Sequence, residues 1–217
     1  MSRIAQIFQN PLQLLYMLPA IIIGLTVHEW AHAYAAYRLG DPTASNLGRM
    51  TLNPLAHIDV FGFLMLILVG FGWAKPVPVN PRNFKNYKRD DIIVSLAGIT
   101  TNVIVAFLFS FVYVAGVLKW GLGTNTAFLS IFGAIITINL ALAIFNLIPI
   151  YPLDGSHVLE SLLIRKIPRF FMFLRQYGQW ILILILISGF VSTMLGYLVS
   201  GITSGFFTVA AWLINLL

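Results

Sequence analysis

Four apolar segments, each long enough to cross a lipid bilayer, decide what this chain can fold into. They run from about residue 11 to 39, 92 to 118, 127 to 147 and 177 to 198. A spanning helix needs roughly 20 apolar residues. Hydrocarbon has no water to satisfy open backbone groups, so these segments must close their hydrogen bonds internally, as helices. Only 9% of the 217 residues are charged, against about 25% in a soluble domain. Little length remains for a soluble unit. The expected fold is all-α and polytopic, a single integral membrane domain over residues 1–217 with its core at 11–165 and C-terminal spans at 177–217. About four to six transmembrane helices are expected, because the last apolar stretch, 201–217, either spans or lies in the interface.

The region after the first span reads differently. Gly40-Asp41-Pro42-Thr43 stops that span. Val60 to Trp73 is apolar but short, which suits a re-entrant or interfacial segment better than a crossing. Ala74 to Pro81 reads Ala-Lys-Pro-Val-Pro-Val-Asn-Pro. It should be extended, and because Pro76 and Pro78 cannot donate to a ladder it would be an edge strand. Residues 45–81 are therefore expected to form a short re-entrant or β-strand element.

The net charge of +6 does not point to nucleic acid, because the basic residues cluster in two loops. Spans 92–118 and 127–147 form a hairpin, so loops 74–91 and 148–176 share one side. Those loops hold nine Lys and Arg residues, and the loop between the spans holds only Lys119. The positive-inside rule makes the basic side cytoplasmic. The first apolar run lacks a small-residue cleavage site and is too long for a signal peptide. The chain is expected to sit as a multi-pass protein in the cell membrane of a prokaryote, with the lipid bilayer as its solvent.

Inside the first span stands His28-Glu29-Trp30-Ala31-His32. Polar groups in hydrocarbon are costly and normally mark function. Residues i and i+4 share a helix face, so His28 and His32 can bind one metal ion. Glu29 then lies close to the metal without ligating it, the position of a general base acting on water. The chain has no Cys, so any metal takes N and O ligands. A catalytic zinc usually has three protein ligands. The acidic residues are Asp41, Asp59, Asp90, Asp91, Asp154, Glu29 and Glu160. Asp154 is the best candidate for the third ligand. It sits in a Pro-Leu-Asp-Gly turn after a span broken by two prolines, and irregular backbone at membrane depth is tolerated where it lines a cavity. His57 and His157 read as interfacial polar residues. Asn139 and Asn146, seven apart, share a helix face; Asn139 reads as helix packing and Asn146 as near the site. Gly24, Gly98 and Gly116 read as sites of close helix approach.

His-Glu-Trp-Ala-His, Ala97-Gly98-Ile99-Thr100-Thr101-Asn102 and Asn146-Leu-Ile-Pro149-Ile-Tyr-Pro152-Leu-Asp154-Gly155 together resemble the site-2 protease family of intramembrane zinc metalloproteases. The likeness covers about residues 15–165 and is to small prokaryotic members without PDZ or CBS domains. It implies one zinc ion per chain held by His28, His32 and Asp154, with Glu29 as catalytic base. Asn102 and Asn146 match motif positions near the site or the substrate. Ile99 and Ser156-His157 depart from the family pattern, and neither touches a ligand position. The resemblance also implies regulated intramembrane proteolysis of single-span membrane proteins or remnant signal peptides, with the active site toward the cytoplasmic side. Val77 and Val79, on the expected edge strand, would clamp an unwound substrate by strand addition. The competing readings are a membrane metal carrier or receptor, and an inactive protease homologue. A carrier should offer polar residues along a full pathway, whereas here they concentrate at one site, and an intact Glu29 disfavours inactivity.

Overall fold

The computed structural model describes residues 11–68 and 72–216. Its α-helices are α1 (Pro11–Arg38), α2 (Thr43–Asn46), α3 (Val60–Leu68), α4 (Tyr87–Leu118), α5 (Thr126–Asn146), α6 (Asp154–Leu163), α7 (Pro168–Ile187) and α8 (Phe190–Leu216). Helices α1, α4, α5, α7 and α8 are long and apolar enough to cross a membrane. The fold is an all-α polytopic one, as the composition requires.

Polar residues set the helix ends. The Asn86 side chain accepts from the Arg89 N–H, and the Asp90 carboxylate accepts the Asn86 N–H at 2.9 Å. This reciprocal cap starts α4 at Tyr87, ahead of the apolar run that marked it in the sequence. Asn125 caps α5 by accepting the Phe128 N–H at 2.9 Å. Pro168 opens α7 in its first turn, where a missing N–H costs nothing. Gly189, at φ +76°, ends α7 in the left-handed conformation glycine adopts without strain. That turn corrects the expected fourth span at 177–198. The chain reverses in the middle of that apolar stretch, so α7 runs from Pro168 to Ile187 and the tail is a complete span-length helix. The break is hidden in the sequence because Ser188-Gly189 interrupts an otherwise continuous apolar run.

Helices α1, α4 and α5 pack against one another, α8 covers α4 and α5, and α6 lies on α4. Ala106, Ile136 and Leu140 are fully buried between them. Large apolar residues such as Leu184 and Ile187 face outward, as a hydrocarbon solvent allows.

The region between α1 and α4 corrects a second expectation. Among the described residues there is no β-strand, at Val77–Val79 or elsewhere; one isolated antiparallel bridge joins Ile58 to Ala74. The reason is that segment 75–80 spends its hydrogen bonds on side chains. The Val77 N–H donates to Glu29 Oε2 at 2.7 Å, and the Asn80 N–H donates to Asp41 Oδ2 at 2.7 Å. Arg49 Nη2 donates to the Lys75 carbonyl at 2.8 Å. The chain does fold back on itself here. The chain leaves at Ile58, runs through α3, and returns to Ala74, where the Lys75 N–H meets the His57 carbonyl at 2.8 Å. A Cβ on Gly62 would sit 2.1 Å from the Trp73 carbonyl oxygen, so glycine is what lets α3 lie against the returning chain.

Asp41 anchors this region to the end of α1. It is fully buried, and its carboxylate accepts from the Thr43 hydroxyl, the Asn80 N–H and the Asn83 amide. Burial pushes the Asp41 carboxyl upward, but these donors outweigh it and hold the group below its ordinary value of 3.8.

Candidate metal centre

His28 and His32 lie one turn apart in the C-terminal half of α1, and Asp154 is the first residue of α6. Their ligand atoms converge. His28 Nε2 is 3.0 Å from His32 Nε2, and Asp154 Oδ2 is 3.2 Å from the first and 3.3 Å from the second. A tetrahedral zinc with bonds of about 2.0–2.1 Å keeps its ligand atoms about 3.3 Å apart. The triangle therefore has nearly the edge a zinc ion requires.

The protons make the same case. His32 Nδ1 faces the Val94 carbonyl at 2.8 Å. A carbonyl only accepts, so Nδ1 carries a hydrogen, and in the neutral ring Nε2 keeps its lone pair. His28 Nδ1 faces Asn102 Oδ1 at 3.0 Å, which likewise accepts. With both rings neutral, two imidazole lone pairs and a carboxylate oxygen thus point at one place. Asp154 Oδ2 is buried, and the two Nε2 atoms are its only polar neighbours among the described residues. Three such acceptors repel one another unless a proton or a metal cation joins them. The floor of the site fits as well. A Cβ on Gly98 would lie 2.6 Å from His32 Nε2 and 2.7 Å from His28 Cε1. Glycine here leaves the space the two rings occupy.

Glu29 is 8% exposed and lines the same cavity, of about 680 Å³, with the two histidines and Asp154. Its Oε2 is held by the Val77 N–H. The carboxylate is therefore fixed from one side and open to the cavity on the other. Val77, Val79 and Asn146 also line this space. The Asn146 amide donates to the Leu142 carbonyl at 2.9 Å, and its oxygen has no partner among the described residues. All eight residues singled out from the sequence come to one site. Seven line the cavity, and Asn102 is fully buried behind His28.

Three further contributors were not placed at the site by the sequence. The Val94 carbonyl is a backbone group, which no residue type can announce. Gly98 admits a neighbouring helix, as expected, and what it admits is the two imidazole rings. Asn139 joins the network by accepting from Asn102 Nδ2 at 3.0 Å. Neither remaining histidine is among the converging ligand groups. His57 is fully buried, with Nε2 on the Thr51 carbonyl at 2.7 Å, and His157 forms part of the cavity wall.

A profile of peptidase family M50 matches residues 117–188, which contain Asp154 but neither metal-facing histidine. "Putative zinc metalloprotease YwhC" of Bacillus subtilis (strain 168) is 43% identical over 157 residues, covering 70% of this chain and 71% of that protein. "Putative zinc metalloprotease MJ0611" of Methanocaldococcus jannaschii is 32% identical over 163 residues, covering 72% and 78%. "Putative zinc metalloprotease Rip2" of Mycolicibacterium smegmatis is 29% identical over 177 residues, covering 77% and 64%. No solved structure matches. With a relative this similar over most of both lengths, and a site whose three acceptors call for a cation, the chain belongs to peptidase family M50, the site-2 protease family.

Proposed function

We propose that this protein is a zinc metalloendopeptidase that hydrolyses peptide bonds of membrane-spanning substrates. The observation that carries the reading is the convergence of His28 Nε2, His32 Nε2 and Asp154 Oδ2 beside Glu29, in a cavity between span-length helices. Those three atoms would hold one zinc ion. Zinc, when bound, supplies Lewis acidity, polarising a carbonyl and making water a better acid. Glu29 takes the proton from the attacking water and passes it to the leaving amine. The Val77 N–H keeps Glu29 Oε2 in place during both transfers. The Asn146 oxygen, open to the cavity, is a polar contact for substrate backbone.

A helical substrate has its backbone groups already paired and must unwind to present a bond. Segment 76–79 offers the means to hold it open. The Val77 carbonyl and both backbone groups of Val79 have no partner among the described residues, while Arg49, Glu29 and Asp41 brace the segment. Unlike a strand in a sheet, it has no competing neighbour. The substrates would be single-span membrane proteins or remnant signal peptides, cleaved in regulated intramembrane proteolysis.

Orientation follows from charge. The C-terminal end of α1, the start of α4 and the end of α5 meet at the site. Lys119 lies at the opposite end and Arg3 is outside the described residues, leaving eleven of the thirteen Lys and Arg residues at the site end. That end would face the cytoplasm of a prokaryotic cell.

The test is cleavage of a panel of single-span substrates by purified protein in detergent. One zinc per chain is expected. Removing it with a chelator should abolish cleavage, and restoring zinc should recover it. Cleavage that survives complete zinc removal would exclude the metalloprotease reading. In the same assay, replacing residues 76–79 by Gly and Ser should leave zinc bound and end cleavage of a helical substrate. Unchanged cleavage would remove the clamp.

A further inference from the structure

We propose that Asn139 is a positioning residue: through the Asn102 amide it fixes His28 in the tautomer that leaves Nε2 free for a metal ion. This deepens the proposed function and rests on His28 being a metal ligand.

The two histidines are supported in different ways. His32 Nδ1 bonds to the backbone carbonyl of Val94, which cannot turn around. His28 Nδ1 bonds to a side-chain amide, Asn102 Oδ1. An amide has an acceptor end and a donor end. If Asn102 were reversed, its NH2 would face His28 Nδ1 and favour the other tautomer. The hydrogen would then sit on Nε2, where the metal must bind. Something has to hold the amide one way round.

The hydrogen bonds around Asn102 do so, and they can be read without ambiguity. Asn139 Nδ2 donates to the Ile135 carbonyl at 2.8 Å. That oxygen only accepts, so the NH2 of Asn139 is fixed toward it and Oδ1 is fixed toward Asn102. Asn102 Nδ2 donates to Asn139 Oδ1 at 3.0 Å and to the Gly24 carbonyl at 3.2 Å. Both protons of the Asn102 amide are committed, and Oδ1 is left for His28. The order runs from a backbone carbonyl of α5, through two asparagines, to a histidine of α1. Asn102 and Asn139 are fully buried, so no water substitutes for a lost partner. Gly24 belongs to the same arrangement. A Cβ there would lie 2.7 Å from Leu142 Cδ1 and 3.5 Å from Asn139 Oδ1, so glycine lets α1 come close enough for the three groups to meet. An asparagine that merely tied α5 to α4 would affect the stability of the bundle alone. A positioning residue also changes the tautomer of His28.

The full-length protein in detergent provides the test, with Asn139→Leu and Asn139→Asp. Zinc affinity is measured by chelator competition, the tautomers of His28 and His32 by 15N NMR of the metal-free protein, and folding by thermal melting. Supporting residues of this kind typically change metal affinity about 10–100-fold, and because Gly24 still holds one Asn102 proton, Asn139→Leu should weaken zinc about tenfold. It should also move His28 toward the Nε2–H form and leave His32 unchanged. Asn139→Asp, as a neutral buried acid, can still donate to Ile135 and accept from Asn102, and it should restore both readings. If the leucine variant does not fold, Asn139→Ala carries the same expectation. A folded variant with wild-type zinc affinity and an unchanged His28 tautomer would overturn the proposal, whatever its melting temperature. If the wild type binds no zinc, the metal-ligand reading fails, and the NMR result separates that outcome from a failure of Asn139 alone.

Discussion

Glu29→Gln is expected to lower cleavage of a single-span substrate by about 10²- to 10⁴-fold, the range for removing a general base, without changing zinc content. The substitution is clean because of what holds Glu29. Its Oε2 accepts the Val77 N–H at 2.7 Å, and a glutamine oxygen accepts the same bond. The side chain should stay where it is, and segment 76–79 with it. Glu29 is not among the three converging ligand groups, so metal affinity has no reason to fall. What disappears is the carboxylate's ability to take a proton from water. Zinc content by atomic emission and cleavage in detergent, measured on the same preparations, check the expectation. Full activity in the variant would remove Glu29 as the base. Loss of zinc would mean that Glu29 supports the metal site instead.

The parts of this site that were legible in the sequence depend on short spacing or on unusual context. His28, Glu29 and His32 could be read because four residues of helix bring both rings to one face, and because such residues are expensive in a span. Asp154 could be read because an acid in a proline-broken turn at a span end has few other uses. Contributions that come from three-dimensional approach were invisible. The Val94 carbonyl serves His32 across 62 residues of sequence, and Asn139 reaches Asn102 across 37. Val77 was placed at the site for a reason that did not hold. It is there because its N–H holds Glu29, with no strand present. The span count was limited by composition: Ser188-Gly189 is too small an interruption for hydropathy to register, although the glycine is what allows α7 to end. The site is distributed over four helices, and within it the run from His28 to His32 and the turn at Asp154 are each compact in sequence.

Gly98→Ala is expected to empty the metal site. Along α4, Val94, Gly98 and Asn102 are spaced four apart and so lie on one face. Val94 holds His32 and Asn102 holds His28, with Gly98 between the two supports. An alanine methyl would stand 2.6 Å from His32 Nε2 and 2.7 Å from His28 Nδ1. Neither ring can retreat without leaving its acceptor on that same helix. The alternative is for α1 and α4 to separate, and overpacking of this kind costs about 1–3 kcal/mol. Both routes spoil the triangle with Asp154. Because both histidines are displaced, zinc affinity should fall by about 100-fold or more, the upper end of what losing one supporting contact does, and cleavage should fall with it. Gly116→Ala on the same helix is the control. Its Cβ would meet the Phe128 ring at 2.2 Å, far from the metal-facing groups, so it should lower thermal stability and leave zinc bound. If Gly98→Ala retains wild-type zinc affinity while Gly116→Ala melts early, the histidines have slack that these distances deny. The ring positions would then be set by the metal rather than by the face of α4.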